Sequence, residues 1–166
     1  MKKVTTFMAI GVPGSGKTTY LKPFAERIDA KYLSTDEIRL ELLGDMLDHS
    51  QNQRVWAELY RLADESLMKS RSVVIDAMNL IPNYRIIDNK RYRGYCSEIV
   101  GIWFNFSLEE ILRRNLSRIH REPVPESDIT RLYHAMIASP PVLSEGFDKI
   151  IDLARSESEI ALLEKV

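Results

Sequence analysis

The sequence predicts an α/β fold, a parallel sheet of about five strands with helices on both faces. Three observations carry that expectation. Short apolar runs alternate with longer amphipathic stretches along the chain, which is the pattern of βαβ units. The first run leads into Gly11-Val12-Pro13-Gly14-Ser15-Gly16-Lys17-Thr18, a complete G-x-x-x-x-G-K-S/T phosphate-binding loop in the strand–loop–helix setting it requires. Two later runs lead to carboxylates, Asp36 and Asp76, where ligands gather beyond the carboxyl ends of parallel strands.

Each element follows in order. Val4 to Ile10 reads as a buried strand, and the residues after the loop read as a helix that Pro23 should kink or end early, at a cost of roughly 3 kcal/mol. Lys31 to Ser34 is a short strand, and Thr35-Asp36-Glu37 opens a helix through about Leu47. Gln51 to Ser70 carries Val55, Leu59, Leu62 and Leu67 on one helical stripe. Val73-Val74-Ile75-Asp76 is a strand ending in an acid, and Ile81 to Arg91 is a helix with Pro82 in its first turn. Ser97 to Phe104 is a strand, followed by a helix from Leu108 to Ser117 capped by Ser107. A polar stretch, Arg118 to Pro125, leads into a helix ending near Ala138. Phe147 to Leu153 is the last strand, and Ser156-Glu157-Ser158-Glu159 signals a final helix.

The length of 166 residues suits a single domain, residues 1–166. No apolar run approaches the roughly 20 residues of a membrane span. Met1-Lys2-Lys3-Val4 enters a strand directly, so no signal peptide is expected. A single cysteine, Cys96, excludes an internal disulfide framework and fits a reducing, cytoplasmic setting. It should pack as a small apolar residue at a strand start. The net charge of −1 argues against coating nucleic acid indiscriminately, while leaving room for a few local arginines to grip one end of a strand.

The loop sets the donor side. Its glycines let several backbone N–H groups point into one concavity, and the next helix adds the positive end of its dipole. Gly11, Pro13, Gly14, Ser15, Gly16, Lys17, Thr18 and Thr19 are the candidate nucleotide-binding residues. Lys17 supplies charge for the β- and γ-phosphates, and Thr18 a hydroxyl for Mg²⁺. Asp76 would bind Mg²⁺ through water or hold the Thr18 hydroxyl. Asn79 is as well explained by a turn as by ligand binding.

The acceptor side starts at Asp36. Arg39, three residues on, shares its helical face. A carboxylate paired with an arginine beside a γ-phosphate suits a base that accepts a hydroxyl proton, with a cation holding a phosphate or the base itself. The competing readings are a helix cap for Asp36 and a surface ion pair for Arg39. Arg113-Arg114-Asn115-Leu116-Ser117-Arg118-Ile119-His120-Arg121 reads as a lid, roughly residues 114–127, that brings Arg118 and Arg121 to the phosphates. Arg113 and Arg114 read equally well as solvated helix charges, and His120 as solvent-facing. A second basic run, Arg85 to Arg93 with Tyr84, Tyr92 and Tyr95, reads as the wet face of an amphipathic helix in preference to a stacking surface. Arg155 is either a nucleotide-base contact or a helix entry residue.

Together these segments resemble the kinase module of the 5′-hydroxyl polynucleotide kinases, a P-loop kinase family. The resemblance rests on Gly11 to Thr18, Ser34-Thr35-Asp36-Glu37-Ile38-Arg39 and Val74-Ile75-Asp76-Ala77-Met78-Asn79. It continues through Phe104-Asn105-Phe106-Ser107-Leu108-Glu109-Glu110, Arg114-Asn115-Leu116-Ser117-Arg118 and Val124-Pro125. It implies a three-layer P-loop NTPase/kinase fold with an arginine-bearing lid, ATP and Mg²⁺ as cofactors, and a nucleic-acid 5′ end as partner. It also implies that Asp36 is the base activating the 5′-OH and that Arg39 contacts the acceptor's phosphate. Lys17 and Arg118, with Arg121, would stabilise the transferring group. Familiar members often carry a phosphatase or ligase domain, for which this chain has no room.

Two other readings stay open. A small-molecule kinase of the same build would phosphorylate a nucleoside, sugar or antibiotic hydroxyl. A nucleotide-dependent switch would need an Asn-Lys-x-Asp element to read its base, and Asn89-Lys90-Arg91-Tyr92 lacks the acid.

Overall fold

The computed structural model describes residues 3–118 and 122–155. Arg121, His120 and the expected final helix from Ser156 lie outside the described residues.

Five parallel strands form one sheet in the order β2-β3-β1-β4-β5: β1 Thr5–Ile10, β2 Lys31–Ser34, β3 Val73–Asp76, β4 Glu98–Trp103 and β5 Lys149–Asp152. β1 pairs with β3 on one side and β4 on the other. The chain therefore builds outward to β2, returns through β3, then crosses to the opposite side of β1. That reversal opens a crevice at the carboxyl ends of β1, β3 and β4, where the phosphate-binding loop begins.

β1 is buried throughout, and its alternating side chains feed two separate cores. Met8 and Ile10 pack with Leu33, Ile75, Leu59, Ala63 and Tyr92, residues of the sheet, of α3 (Asn52–Met68) and of α4 (Pro82–Tyr92). Phe7 and Ala9 point the other way, to Leu21, Phe24, Val74 and Ile102, against α1 (Lys17–Arg27). The period of two along a strand requires this division. A third cluster, Val12, Ile111, Ile129 and Met136, fastens α5 (Leu108–Leu116) and α6 (Glu126–Ala138) over the loop end of the sheet.

Three expectations need correction. α1 runs unbroken through Pro23 to Arg27. Pro23 lies among exposed residues of the helix, as does Thr19, whose carbonyl Pro23 has no N–H to bond. α2 (Thr35–Leu43) stops four residues before Leu47, because Gly44 at φ 77° takes the left-handed cap and donates to Leu40 O at 2.9 Å. The run from Arg85 to Arg93 is not uniformly wet: Arg85, Asp88, Asn89 and Tyr92 form the buried face of α4. Arg85 is 1 % exposed, with a bidentate pair to Glu145 at 2.6 Å on each arm. Cys96 is buried just before β4 and accepts from Thr6 Oγ1 at 3.4 Å.

Candidate active site

The loop from Gly11 to Gly16 turns the end of β1 into α1. Gly16 sits at φ 90° as the residue before the helix. Gly14, at φ +83°, has α5 against it: a Cβ there would lie 3.0 Å from Ile111 O and 3.1 Å from Asn115 Cβ. Only glycine meets both conditions without strain. Ser15 is fully buried and donates its hydroxyl to Val12 O at 2.8 Å, tightening the turn. Lys17 curls back over the loop, its Nζ 2.9 Å from both Gly11 O and Val12 O.

The segment after β3 braces this loop. Gly11 N donates to Met78 O at 3.0 Å, and the Asn79 amide donates to Ala9 O at 2.7 Å. Asn79 adopts φ 49°, a left-handed conformation that asparagine tolerates. In this arrangement its side chain serves the turn. Thr18 Oγ1 donates to Asp76 Oδ2 at 2.7 Å. Of the two roles expected for Asp76, the structure displays the hold on Thr18.

β2 and β3 run in register, Ser34 beside Asp76, so the start of α2 lies next to the braced loop. Ser34, not Asp36, caps α2, accepting from Glu37 N at 3.4 Å. Asp36 therefore sits inside the first turn with its side chain 40 % exposed, 2.9 Å from Arg39 Nη1. Arg39 is itself buried, 4 % exposed. Its Nη1 also reaches Met46 O at 3.1 Å and its Nη2 reaches Asn52 Oδ1 at 3.3 Å. Its Nε has no hydrogen-bond partner among the described residues. A buried arginine with these contacts fixes the orientation of a more exposed carboxylate, which a flexible surface pair does not.

Sequence reasoning missed two residues of the site. Arg114 donates to Ser15 O at 3.0 Å, pairs with Glu110 at 2.6 Å and lies 4.0 Å over the Phe106 ring. It clamps α5 onto the phosphate loop. Hydrogen bonds from Arg113 and then Arg114 hold the Glu110 carboxyl at about 2. Tyr32 donates its hydroxyl to Asp76 Oδ2 at 2.6 Å. Burial first, then the Asp76 charge, raise the Tyr32 phenol far above its usual value. Spacing signalled neither residue, since the Arg114 partner lies 99 residues away and the Tyr32 partner 44.

The lid is described at both ends. Asn115, 3 % exposed, brackets Val124 with two hydrogen bonds of 2.8 and 3.0 Å, which fixes where the returning chain meets α5. Arg118 is half-buried one residue before the undescribed stretch. Arg155 is exposed beyond β5, with Nε 3.4 Å from Asp152. Thr19 is exposed on the first turn of α1, and Pro13 is half-buried in the loop.

A family model described as an AAA domain matches residues 7–138, most of the chain. The chain belongs to this AAA-domain family. No curated protein matches it. Among solved structures, a chain of the Pnkp1/Rnl/Hen1 RNA repair complex is 22% identical with a TM-score of 0.74, over 95% of this chain and 51% of that one. This protein thus spans about half of that relative's length. The shikimate kinase of Bacteroides thetaiotaomicron is 14% identical with a TM-score of 0.64, over 99% of this chain and 96% of that one. Chaetomium thermophilum Kti12, in complex with ADP-AlF3, is 15% identical with a TM-score of 0.71, over 96% and 95%. These likenesses show the P-loop kinase fold, with helices on both faces of a five-stranded parallel sheet. Among the described residues, no helix is long and apolar enough to cross a membrane.

Proposed function

We propose that this protein moves the γ-phosphate of ATP to a hydroxyl acceptor, the 5′-OH of a polynucleotide. One observation carries the reading most directly. At adjacent strand ends, one acid (Asp76) is tied to Thr18 of the phosphate loop, while a second and more exposed acid (Asp36) is aimed by a buried arginine.

The residues fit a magnesium nucleotide. Thr18 donates its hydroxyl hydrogen bond to Asp76, which leaves the lone pairs of Oγ1 for a cation. Among the described residues, no group of three acidic, histidine or cysteine side chains could hold a metal alone. Thr18 and, through water, Asp76 would hold a magnesium ion beside the nucleotide phosphates. When bound it neutralises charge on the phosphates.

The chain's own groups supply the rest. The backbone N–H groups of the loop and the start of α1 bind phosphate oxygens. Lys17 exchanges its two loop carbonyls for the β- and γ-phosphates. Asp36 accepts the proton of the attacking hydroxyl as that oxygen bonds to the γ-phosphorus, and the bond from the γ-phosphorus to the bridging oxygen breaks to release ADP. Arg39 orients the base, and its Nη2 leaves Asn52 to contact the acceptor's phosphate. Arg118, with Arg121, approaches the transferring group from the lid side and excludes water.

The polynucleotide acceptor is supported by the ordered match of Ser34 to Arg39 and Arg114 to Arg118 with polynucleotide kinases, and by the shared fold with the RNA repair complex chain. A small-molecule acceptor is the second reading, favoured by the net charge of −1. The test is a labelled γ-phosphate transfer assay offering 5′-OH DNA and RNA oligonucleotides beside nucleosides and sugars. Label on an oligonucleotide 5′ end is expected. Label confined to a small hydroxyl compound would replace the first reading with the second.

A further inference from the structure

Tyr32 lies outside the phosphate loop, the acceptor pair and the lid, yet its hydroxyl reaches the centre of the site. It donates to Asp76 Oδ2 at 2.6 Å, and Thr18 donates to the same oxygen at 2.7 Å. Asp76 is 4 % exposed, so its carboxylate is held by neighbours and not by bulk water.

Two donors on one oxygen have a definite effect. The lone pairs of Oδ2 lie in the carboxylate plane, and filling both fixes that plane. A single donor leaves the group free to rotate about χ2, a soft torsion for aspartate. With the plane fixed, Oδ1 keeps one direction, and Thr18 Oγ1 keeps its hydrogen bond to Asp76. Tyr32 is well suited to hold this arrangement. β2 and β3 pair in register from Lys31 with Val73 to Ser34 with Asp76, so the backbone beneath both side chains is rigid. On the outer face of Tyr32, Lys22 Nζ lies 5.7 Å from the ring centroid and is tethered to Glu37 at 2.7 Å.

We propose that Tyr32 is a positioning residue for the divalent cation, fixing the Asp76 carboxylate so that Thr18 Oγ1 and Asp76 Oδ1 together receive a hydrated Mg²⁺. The proposal deepens the nucleotide-binding reading above and rests on it. Removing the hydroxyl while keeping the ring should damage metal-dependent binding and spare metal-independent binding.

The experiment is ADP titration by calorimetry on wild type and Tyr32→Phe, once in chelator and once across a Mg²⁺ series. Tyr32→Phe is expected to match wild type within about twofold in chelator. With Mg²⁺ it should bind about fivefold to tenfold more weakly and need correspondingly more Mg²⁺ for half-saturation, about the net worth of one intramolecular hydrogen bond. Binding in chelator also reports that the variant is folded. Equal weakening with and without Mg²⁺ would make Tyr32 a prop for β2 and overturn the proposal. Equal Mg²⁺ dependence in the two proteins would also overturn it. If wild-type ADP binding ignores Mg²⁺ altogether, the metal reading itself fails, an outcome distinct from the other two.

Discussion

The Arg85–Glu145 pair offers a sharp test of how the site is held. Its side chains are 0% and 6% exposed. Besides Glu145, the guanidinium donates to Asn79 O at 3.1 Å, Leu80 O at 2.9 Å and Ser139 O at 3.1 Å. One side chain thus ties the segment after β3 to the end of α6 and to the turn before β5. Glu145→Ala leaves a buried cation without its anion, which costs about 3–5 kcal/mol. At roughly 2–4 °C per kcal/mol for a chain of this size, the melting temperature falls by about 6–20 °C. Arg85→Met strands Glu145 and also orphans the carbonyls it holds, each costing about 1–3 kcal/mol, so it should fall further. In Arg85→Met/Glu145→Ala only the carbonyls remain unsatisfied. Its loss should be smaller than the sum of the single losses by about 2 kcal/mol or more. Urea unfolding followed by circular dichroism gives all three values. Additive losses, or a Glu145→Ala cost below about 1 kcal/mol, would refute the clasp. Because Met78 O and Asn79 brace the phosphate loop, both single variants should also bind ADP more weakly than wild type at a temperature where each remains folded.

Other expectations follow the same geometry. Lys17→Ala should slow transfer about 10²–10³-fold, the loss typical of one donor to developing charge; an unchanged single-turnover rate contradicts the loop's role. Arg114→Ala removes the clamp on Ser15 O and should weaken ADP binding about fivefold, near 1 kcal/mol, as calorimetry would read; unaltered affinity would return Arg114 to the solvated helix face. Asp88 is held above its usual value of 3.8 chiefly by burial, while Tyr60 donates to it at 2.7 Å. Its stability contribution is complete below pH 3.8 and is lost as pH rises through the raised value. Asp88→Asn keeps an acceptor for Tyr60 and avoids that loss. It should be more stable than wild type at neutral pH, with the gain vanishing in acid. A gain equal at every pH, measured by urea unfolding, would contradict the assignment.

Legibility in the sequence followed the range of the interaction. The loop was plain because its glycines, lysine and threonine act within eight residues, between a strand and a helix that local patterning marks. Asp36 and Asp76 were visible as strand-end acids, but their partners differ in kind. The bond from Arg39 to Asp36 spans three residues and follows from helical geometry, whereas Thr18 and Tyr32 reach Asp76 only because β2 and β1 flank β3. Arg85 read as solvated because its acid lies 60 residues on, in a turn that no local pattern links to α4. Arg114 reads equally well as a lid residue or a solvated charge for a related reason. Its pair with Glu110 at i,i+4 is an ordinary surface pattern, and nothing nearby shows that the other face of the guanidinium meets Ser15 O. The end of α2 was misplaced because the apolar residues continue past Gly44, while the left-handed φ there ends the helix.

In the proposed reaction Asp36 takes the proton of an attacking hydroxyl while the phosphate loop holds the donor. Single-turnover transfer from ATP to a 5′-OH oligonucleotide, measured for wild type and Asp36→Ala alongside ATP affinity, tests it most directly. Asp36→Ala is expected to lose about 10²–10⁴-fold in transfer and to keep ATP affinity within about twofold of wild type. Near-normal transfer by Asp36→Ala would contradict it.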